Sequence, residues 1–361
     1  MARGAVARWI GLAAATAVAS LVLDAASLPS PFLFGALLVG LAWALAPTGR
    51  LGLAVPAPAF TAAQALVGVT LGAYLQSKSL QTLGDDWLPV TLVSAATLGV
   101  SLAVGLATAR VTDVDRPTAA LGMIAGGASG IVTMARELGG DDRLVAFMQY
   151  LRVLVVVLIT PLLAAVAFPG QDGASGAGAG AATGGPPVIG SARDWALTVG
   201  LAVAGTTLGR LVRMPAGALL GSMLLAGVVT LSAPDGWFAV PALLQDVAFA
   251  LIGLQVGLRF TMETVRQTGR LLVPVLISVV VLLVACFGLA VILDATTSVS
   301  LLDAYLATTP GGLYAVLAAA VGAGANTTFI VAVQGLRVVV MVLLAPLAVR
   351  RIIGHPAQVA R

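Results

Sequence analysis

Charge is the scarcest property of this chain. Only 9% of its 361 residues are Asp, Glu, Lys or Arg, against about 25% in soluble domains. Cys286 is the one cysteine and His355 the one histidine. A disulfide within the chain is therefore impossible, and so is a metal centre built from a Cys/His cluster. Lys78 is the one lysine, so arginine carries nearly all the basic charge. The sequence also lacks a nucleophile–base pair and a Walker loop. An enzyme would have to be assembled from Arg, Asp, Ser and Thr alone. The expectation is a protein without catalytic activity, metal or cofactor.

Apolar surface is what the chain has in excess. Hydrophobic residues make up 59% of it, and the mean hydropathy is +1.05. A fold this apolar needs lipid as its solvent. The net charge of +4 would suggest nucleic acid on a soluble protein. Here the arginines lie between apolar segments, which reads as membrane topology, and no direct nucleic-acid contact is expected.

Apolar segments run over 8–23, 31–46, 57–75, 87–109, 144–168, 194–212, 215–232, 241–260, 272–293 and 326–349. Most approach the ~20 residues that a helix needs to cross the hydrocarbon layer. The first, with Arg3 and Arg8 ahead of it, has the look of a signal peptide, but its counterpart in the second half makes it a span. Two further stretches, 117–135 and 300–322, are interrupted by AGGASG (Ala125–Gly130) and TPGG (Thr309–Gly312). Such sequences break a helix by permitting non-helical backbone or removing a donor, so each reads as helix–break–helix. Residues 169–192 form a Gly/Ala/Pro-rich linker. It separates a first membrane repeat, 1–168, from a second, 193–361.

The two halves align at an offset of 185. Pro56, Gly68, Gly72 and Pro89 match Pro241, Gly253, Gly257 and Pro274. Gly126-Gly127, Gly139, Gln149 and Arg152 match Gly311-Gly312, Gly324, Gln334 and Arg337. Near the start of each half the offset is 186, pairing Trp9 with Trp195 and Gly35 with Gly221. If both interrupted elements are re-entrant, each half has five full spans and the second half is inverted. With the N-terminus inside, 15 of the 19 Lys and Arg residues are then cytoplasmic, Lys78 and Arg193 lie outside, and Arg152 and Arg337 fall within spans. Full crossing by those elements would move seven arginines outside, against the positive-inside rule. The expected fold is an all-α polytopic membrane protein of two inverted-topology repeats. Each repeat has about five transmembrane helices plus one broken, re-entrant element, and both termini are cytoplasmic.

Arg152 and Arg337 are the sharpest signal. An arginine within a span costs about 2.5–3.5 kcal/mol on insertion scales and should face a partner or a wet cavity. Gln149 and Gln334 precede them by three residues, on the same helical face. Two readings stand. The arginines coordinate an anion, or each donates to broken-helix carbonyls and holds the fold. The breaks themselves are candidate ligand sites, because inverted-repeat transporters place substrate at discontinuous helices. Ser129 and Thr309 add hydroxyls beside Gly126, Gly127, Gly311 and Gly312. Asp246, early in its span, is a candidate ion-coupling residue or a solvated interface residue. Asp303 reads as the N-terminal cap of the second interrupted element. The GxxxG pairs Gly68/Gly72, Gly205/Gly209, Gly217/Gly221 and Gly253/Gly257 read as close-packing faces.

AGGASG with MARELGGDDRLVAFMQYLRVLVVVLITPL, and TTPGGLYAVLAAAVGAGANTTFIVAVQGLRVVVMVLLAPL, resemble the duplicated membrane domain of the AbrB-type family. The resemblance spans nearly the whole chain apart from the linker. It implies a bacterial inner-membrane protein with a fold similar to the cation/proton antiporter and bile-acid symporter group. The family also carries an ammonia monooxygenase label, which would need copper ligands that this sequence lacks. A second label, regulator, reflects an effect on gene expression, and no DNA-binding module accompanies it here. Members often place an acid shortly after the Gly-Gly break; Gly130 and Ala315 stand there instead, which favours an anion or a neutral solute over a cation. The expected function is secondary-transporter-like movement of a small, anionic solute. The alternatives are a membrane sensor that binds a solute without moving it, and a scaffold.

Overall fold

A computed structural model describes residues 2–25, 31–46, 53–73, 84, 86–125, 131, 135, 138–167, 190–212, 214, 217–233, 238–260, 262–311, 316, 319–320 and 324–353. Helices account for all of the regular structure among them. In chain order they are α1 (Ala2–Ala25), α2 (Pro31–Leu45), α3 (Ala57–Ala73), α4 (Trp87–Val111), α5 (Arg116–Met123), α6 (Asp142–Ala167), α7 (Ala192–Leu211), α8 (Gly217–Ser232), α9 (Ala242–Gly257), α10 (Met262–Thr296), α11 (Leu301–Thr308) and α12 (Thr327–Ile353).

Four stretches are long and apolar enough to cross a membrane: Val6–Ala25, Trp87–Val111, Asp142–Thr160 and Thr268–Thr296. The chain is membrane-protein-like on that ground. Four further apolar helices, α2, α3, α8 and α9, have only 15 to 17 residues, so each extends about 22–26 Å at 1.5 Å per residue. Helix α10 shows how such a chain distributes its apolar surface. Val275, Val279, Leu282, Cys286 and Leu293 are buried on one stripe, while Val273, Ile277, Val280 and Val284 are exposed on another. Both faces are apolar, the pattern of a helix with lipid rather than water outside. Hydroxyls on the apolar helices are kept satisfied locally. Ser94, Thr97 and Ser101 of α4 each donate to the carbonyl four residues back, at 2.8 Å.

One stretch departs from the sequence expectation. Residues 262–271 were expected in a polar connection before a span over 272–293, yet they are helical and continuous with α10. The helix has 35 residues with Pro274 inside, a length of about 52 Å. The segment METVRQTGR is polar but made largely of good helix formers, so the helix runs on past its apolar section. Hydropathy marks where a segment becomes polar, not where a helix ends.

The chain divides into two compact units, and each draws on both halves. One comprises Met1–Leu80, Thr160–Met262 and Leu317–Thr328. Within it α3 packs on α8, α2 on α9, α7 on α8 and α1 on α2. Small residues set these crossings. A Cβ added at Gly72 would come within 2.5 Å of the Met223 carbonyl oxygen, and one at Gly257 within 2.7 Å of the Leu41 amide nitrogen. At Gly205 it would overlap the Ser222 backbone, and at Gly253 the Leu33 carbonyl. The close-packing expected of the GxxxG pairs is therefore present.

The second unit comprises Gln81–Ile159, Glu263–Val316 and Phe329–Arg361, and it holds both short helices. Helix α5 is capped by Asp115, whose carboxylate accepts from the Thr118 amide at 3.0 Å, with a proline in its first turn. Helix α11 is capped by Ser300, whose hydroxyl accepts from the Asp303 amide at 3.2 Å. Asp303 is thus the third helical residue rather than the cap, and its carboxylate accepts from the Ser300 hydroxyl at 2.8 Å. Both helices stop after eight residues, at Ile124 and Thr309. Left-handed glycines follow the interrupted elements, Gly139 (φ 78°) in this unit and Gly324 (φ 64°) in the first. The next amide bonds back, Gly140 to the Ala135 carbonyl and Ala325 to the Ala320 carbonyl, at 2.8 and 3.0 Å. This closes a helix in the way that glycine permits.

Candidate functional site

Helix α5 ends inside the protein, where its last carbonyls have no helical partner. Helix α6 supplies the donors. Gln149 Nε2 donates to the Leu121 carbonyl at 2.7 Å and to the Ile124 carbonyl at 2.8 Å. Arg152 Nη1 donates to the Met123 carbonyl at 3.1 Å, and its Nη2 to Gln149 Oε1 at 2.8 Å. The three-residue spacing stacks Gln149 and Arg152 on one face of α6, so the glutamine bridges the arginine to the helix end.

The same clamp closes α11, residue for residue at the offset of 185. Gln334 Nε2 donates to the Leu306 carbonyl at 2.8 Å and to the Thr309 carbonyl at 3.3 Å. Arg337 Nη1 donates to the Thr308 and Thr309 carbonyls at 3.2 and 2.7 Å, and Nη2 donates to Gln334 Oε1. Pro310 has no amide hydrogen, so the Leu306 carbonyl cannot find its helical donor and depends on Gln334. Each guanidinium sits at the negative end of a short helix, where a cation is favoured.

Both arginines are 2% exposed. Their Nε–H groups, also buried, make no hydrogen bond among the described residues. Among the described residues no carboxylate is hydrogen-bonded or ion-paired to either. The two guanidiniums lie within electrostatic range of one another, and Cys286 of α10 is within range of both. The Thr308 hydroxyl donates within its own helix to the Ala304 carbonyl at 2.9 Å and also lies 3.2 Å from the Cys286 carbonyl. Phe287 meets Tyr305 edge to face with ring centroids 5.8 Å apart.

Arg152, Arg337, Gln149, Gln334 and Thr309 thus lie in one compact unit, at two repeat-related helix ends. The Thr309 hydroxyl already donates to the Tyr305 carbonyl at 2.7 Å. Gly311 is packed hard: an added Cβ would lie 2.5 Å from Val156 Cγ1 on α6. Gly126, Gly127, Ser129 and Gly312 lie outside the described residues. The half-helices that are described present C-terminal carbonyls at the breaks, not the N-terminal ends that draw anions. Asp246 belongs to the other unit, on α9, half-buried and within electrostatic range of Asp24 on α1. Thr308, Cys286 and the clamped carbonyls were not singled out from sequence. The signal that reaches them is the constant spacing of 28 residues from Leu121 to Gln149 and from Leu306 to Gln334.

Comparison with known proteins identifies the family. The family model described as "Transition state regulatory protein AbrB" matches residues 6–353. A protein of Escherichia coli (strain K12), provisionally named regulator AbrB, is 34% identical over 347 residues, covering 95% of this chain and 96% of its own length. A Bacillus subtilis (strain 168) protein, YhjN, whose name assigns no activity, is 28% identical over 297 residues, covering 78% of this chain and 76% of its own. With an unbroken match across both halves and both clamps, the chain belongs to the AbrB family.

Proposed function

We propose that this protein is a secondary transporter of the bacterial inner membrane, moving a small solute at the paired helix breaks. It crosses the membrane ten times as two inverted repeats, 1–168 and 193–361, joined by an extracytoplasmic linker over 169–192, with both termini cytoplasmic. One observation carries the reading. Two buried arginines, each three residues after a glutamine, hold the interior ends of two short helices with the same bonds at the same offset. Broken helices with internally satisfied ends are what a membrane protein needs in order to place polar groups at depth. The positive-inside distribution supports the inversion. Lipid and a small solute are its partners, and Arg152, Arg337, Gln149, Gln334, Thr309 and the break glycines form its site. Asp246 remains a candidate coupling residue on a different unit. A catalytic role finds no support in the available side chains.

A second reading has its own support. The matching family model and the Escherichia coli relative are both described as regulators. In that case the same site senses a solute without moving it, and any effect on gene expression is indirect. Flux decides between the two. The purified chain is reconstituted in liposomes and offered a mixture of small metabolites, and the lumen is read by mass spectrometry. Transport requires that at least one solute accumulate above empty liposomes, and that Gly127→Leu and Gly312→Leu abolish the accumulation at normal protein abundance. Solute binding without any flux would put the sensor reading in its place.

A further inference from the structure

The clamps leave an electrostatic imbalance. Arg152 and Arg337 bring two full positive charges into the interior of one unit, each 2% exposed. Each faces the C-terminus of an eight-residue helix, which offers at most about half a negative charge. Roughly one positive charge is left over. No carboxylate of the described residues answers it. The acids of the short helices, Asp115 as the cap of α5 and Asp303 in the first turn of α11, stand toward the opposite ends, about 12 and 8 Å away along eight and five residues. The segments 126–130 and 312–315, GGASG and GLYA, contain no acid either. A buried charge without a partner is strongly unfavourable. The same two arginines each keep one buried N–H with no acceptor among the described residues, while their Nη groups are bonded. The chemistry left open is therefore specific: negative charge, and oxygen lone pairs to accept from guanidinium N–H groups.

We propose that the ligand of this site is a small oxyanion, a carboxylate or an inorganic oxyanion, that bonds the Nε–H groups of Arg152 and Arg337 and supplies the counter-charge that no described carboxylate provides. This rests on the reading of the clamps as a solute site and narrows the solute to one charge class. Neutral solutes leave the excess charge in place, and halides satisfy it without the directed acceptors. The arginines remain clamps when the anion binds, because Nη1 and Nη2 carry the structural bonds and Nε does not.

The test supplies the missing charge covalently. Cys286 is buried, has nearly the volume of aspartate, and lies within range of both guanidiniums. The full-length protein and its C286D and C286S variants are purified in detergent. Thermal unfolding is followed at constant ionic strength in chloride, acetate, sulfate and neutral acetamide. In the wild type and C286S, acetate or sulfate should raise the melting temperature by several degrees over chloride once the anion exceeds its Kd about a hundredfold, and acetamide should not. C286D should melt higher than C286S without added oxyanion and lose at least half of the response. Acetate alone acting identifies a carboxylate; sulfate alone identifies an inorganic oxyanion. Equal melting in all four solutes overturns the proposal, as does an undiminished response in C286D. If C286D does not fold, the contrast between oxyanion and acetamide on the wild type decides alone. The proteoliposome assay separates this outcome from the broader reading. Flux of a neutral solute with no oxyanion response sinks the charge assignment and leaves transport standing. An oxyanion response without flux sustains the charge assignment and removes transport.

Discussion

Replacing Gln334 by methionine should show what the clamp is worth. Methionine keeps the length and volume of glutamine but has neither the amide donor nor a strong acceptor. Two losses follow. The Leu306 carbonyl loses its 2.8 Å donor and has no substitute, because Pro310 lacks an amide hydrogen. An orphaned buried carbonyl costs about 1–3 kcal/mol. Arg337 Nη2 loses the Gln334 oxygen, a charge-assisted bond of about 1.5–3 kcal/mol. The Thr309 carbonyl is spared, since Arg337 Nη1 still reaches it at 2.7 Å. The expected destabilisation is about 3–5 kcal/mol, the two losses being coupled. Gln149→Met should cost about the same, about 3–5 kcal/mol: Ala125 stands where Pro310 stands and keeps an amide that can turn back to the Leu121 carbonyl, but the Ile124 carbonyl loses its 2.8 Å donor and Arg152 bonds Met123 instead. Unfolding of the purified protein in mixed detergent–SDS micelles, followed by tryptophan fluorescence, gives both values. As a control, Thr207→Val removes an exposed hydroxyl bonded only within its own helix and should change stability by less than about 0.5 kcal/mol. If either Gln334→Met or Gln149→Met unfolds within about 1 kcal/mol of the wild type, the clamp argument is wrong.

Three further outcomes are expected. Arg152→Lys and Arg337→Lys keep the charge but lose the planar fork that reaches a carbonyl and a glutamine at once; each should lower stability by about 1–3 kcal/mol in the same micelle assay, and a neutral result would mean that charge alone suffices. Gly205→Ala should destabilise by more than about 2 kcal/mol, because its Cβ would overlap the Ser222 backbone, whereas Gly200→Ala, with open space around it, should be neutral or slightly stabilising. In a Cys286→Ala background, single cysteines over 136–143 and 259–270 should label only from the cytoplasmic side and those in 169–192 only from outside; the reverse pattern for the linker would sink the inverted topology.

The helices were legible because apolar runs between arginines, prolines and glycines mark them directly. Pro31, Pro56 and Pro241 stand at or just before the starts of α2, α3 and α9. The polar extension of α10 was not legible, since METVRQTGR has no apolar run to announce it. The clamp residues were visible as a repeated Gln-x-x-Arg within apolar sequence, with donation to broken-helix carbonyls as one of two readings. Their acceptors were hidden, because main-chain carbonyls have no sequence identity; only Pro310 hinted that the Leu306 carbonyl would need a donor. The capping role fell to Ser300 rather than Asp303 because both residue types suit either position. The division into compact units was hidden altogether, since it depends on contacts between residues far apart in the chain.

That division has a consequence for how the protein is made. The cluster around the first break joins Leu121, Ile124 and Ala125 to Met341 and Val349 of the final helix. When α5 and α6 emerge from the ribosome, the α12 side chains that will cover them are about two hundred residues away. The packing around Leu121 and Val145 is therefore complete only once α12 has been made. Long-range closure of this kind is slow and leaves apolar surface waiting. A chain truncated before α12 would lack Met341 and Val349, and with them part of the cover over Leu121, Ile124 and Ala125.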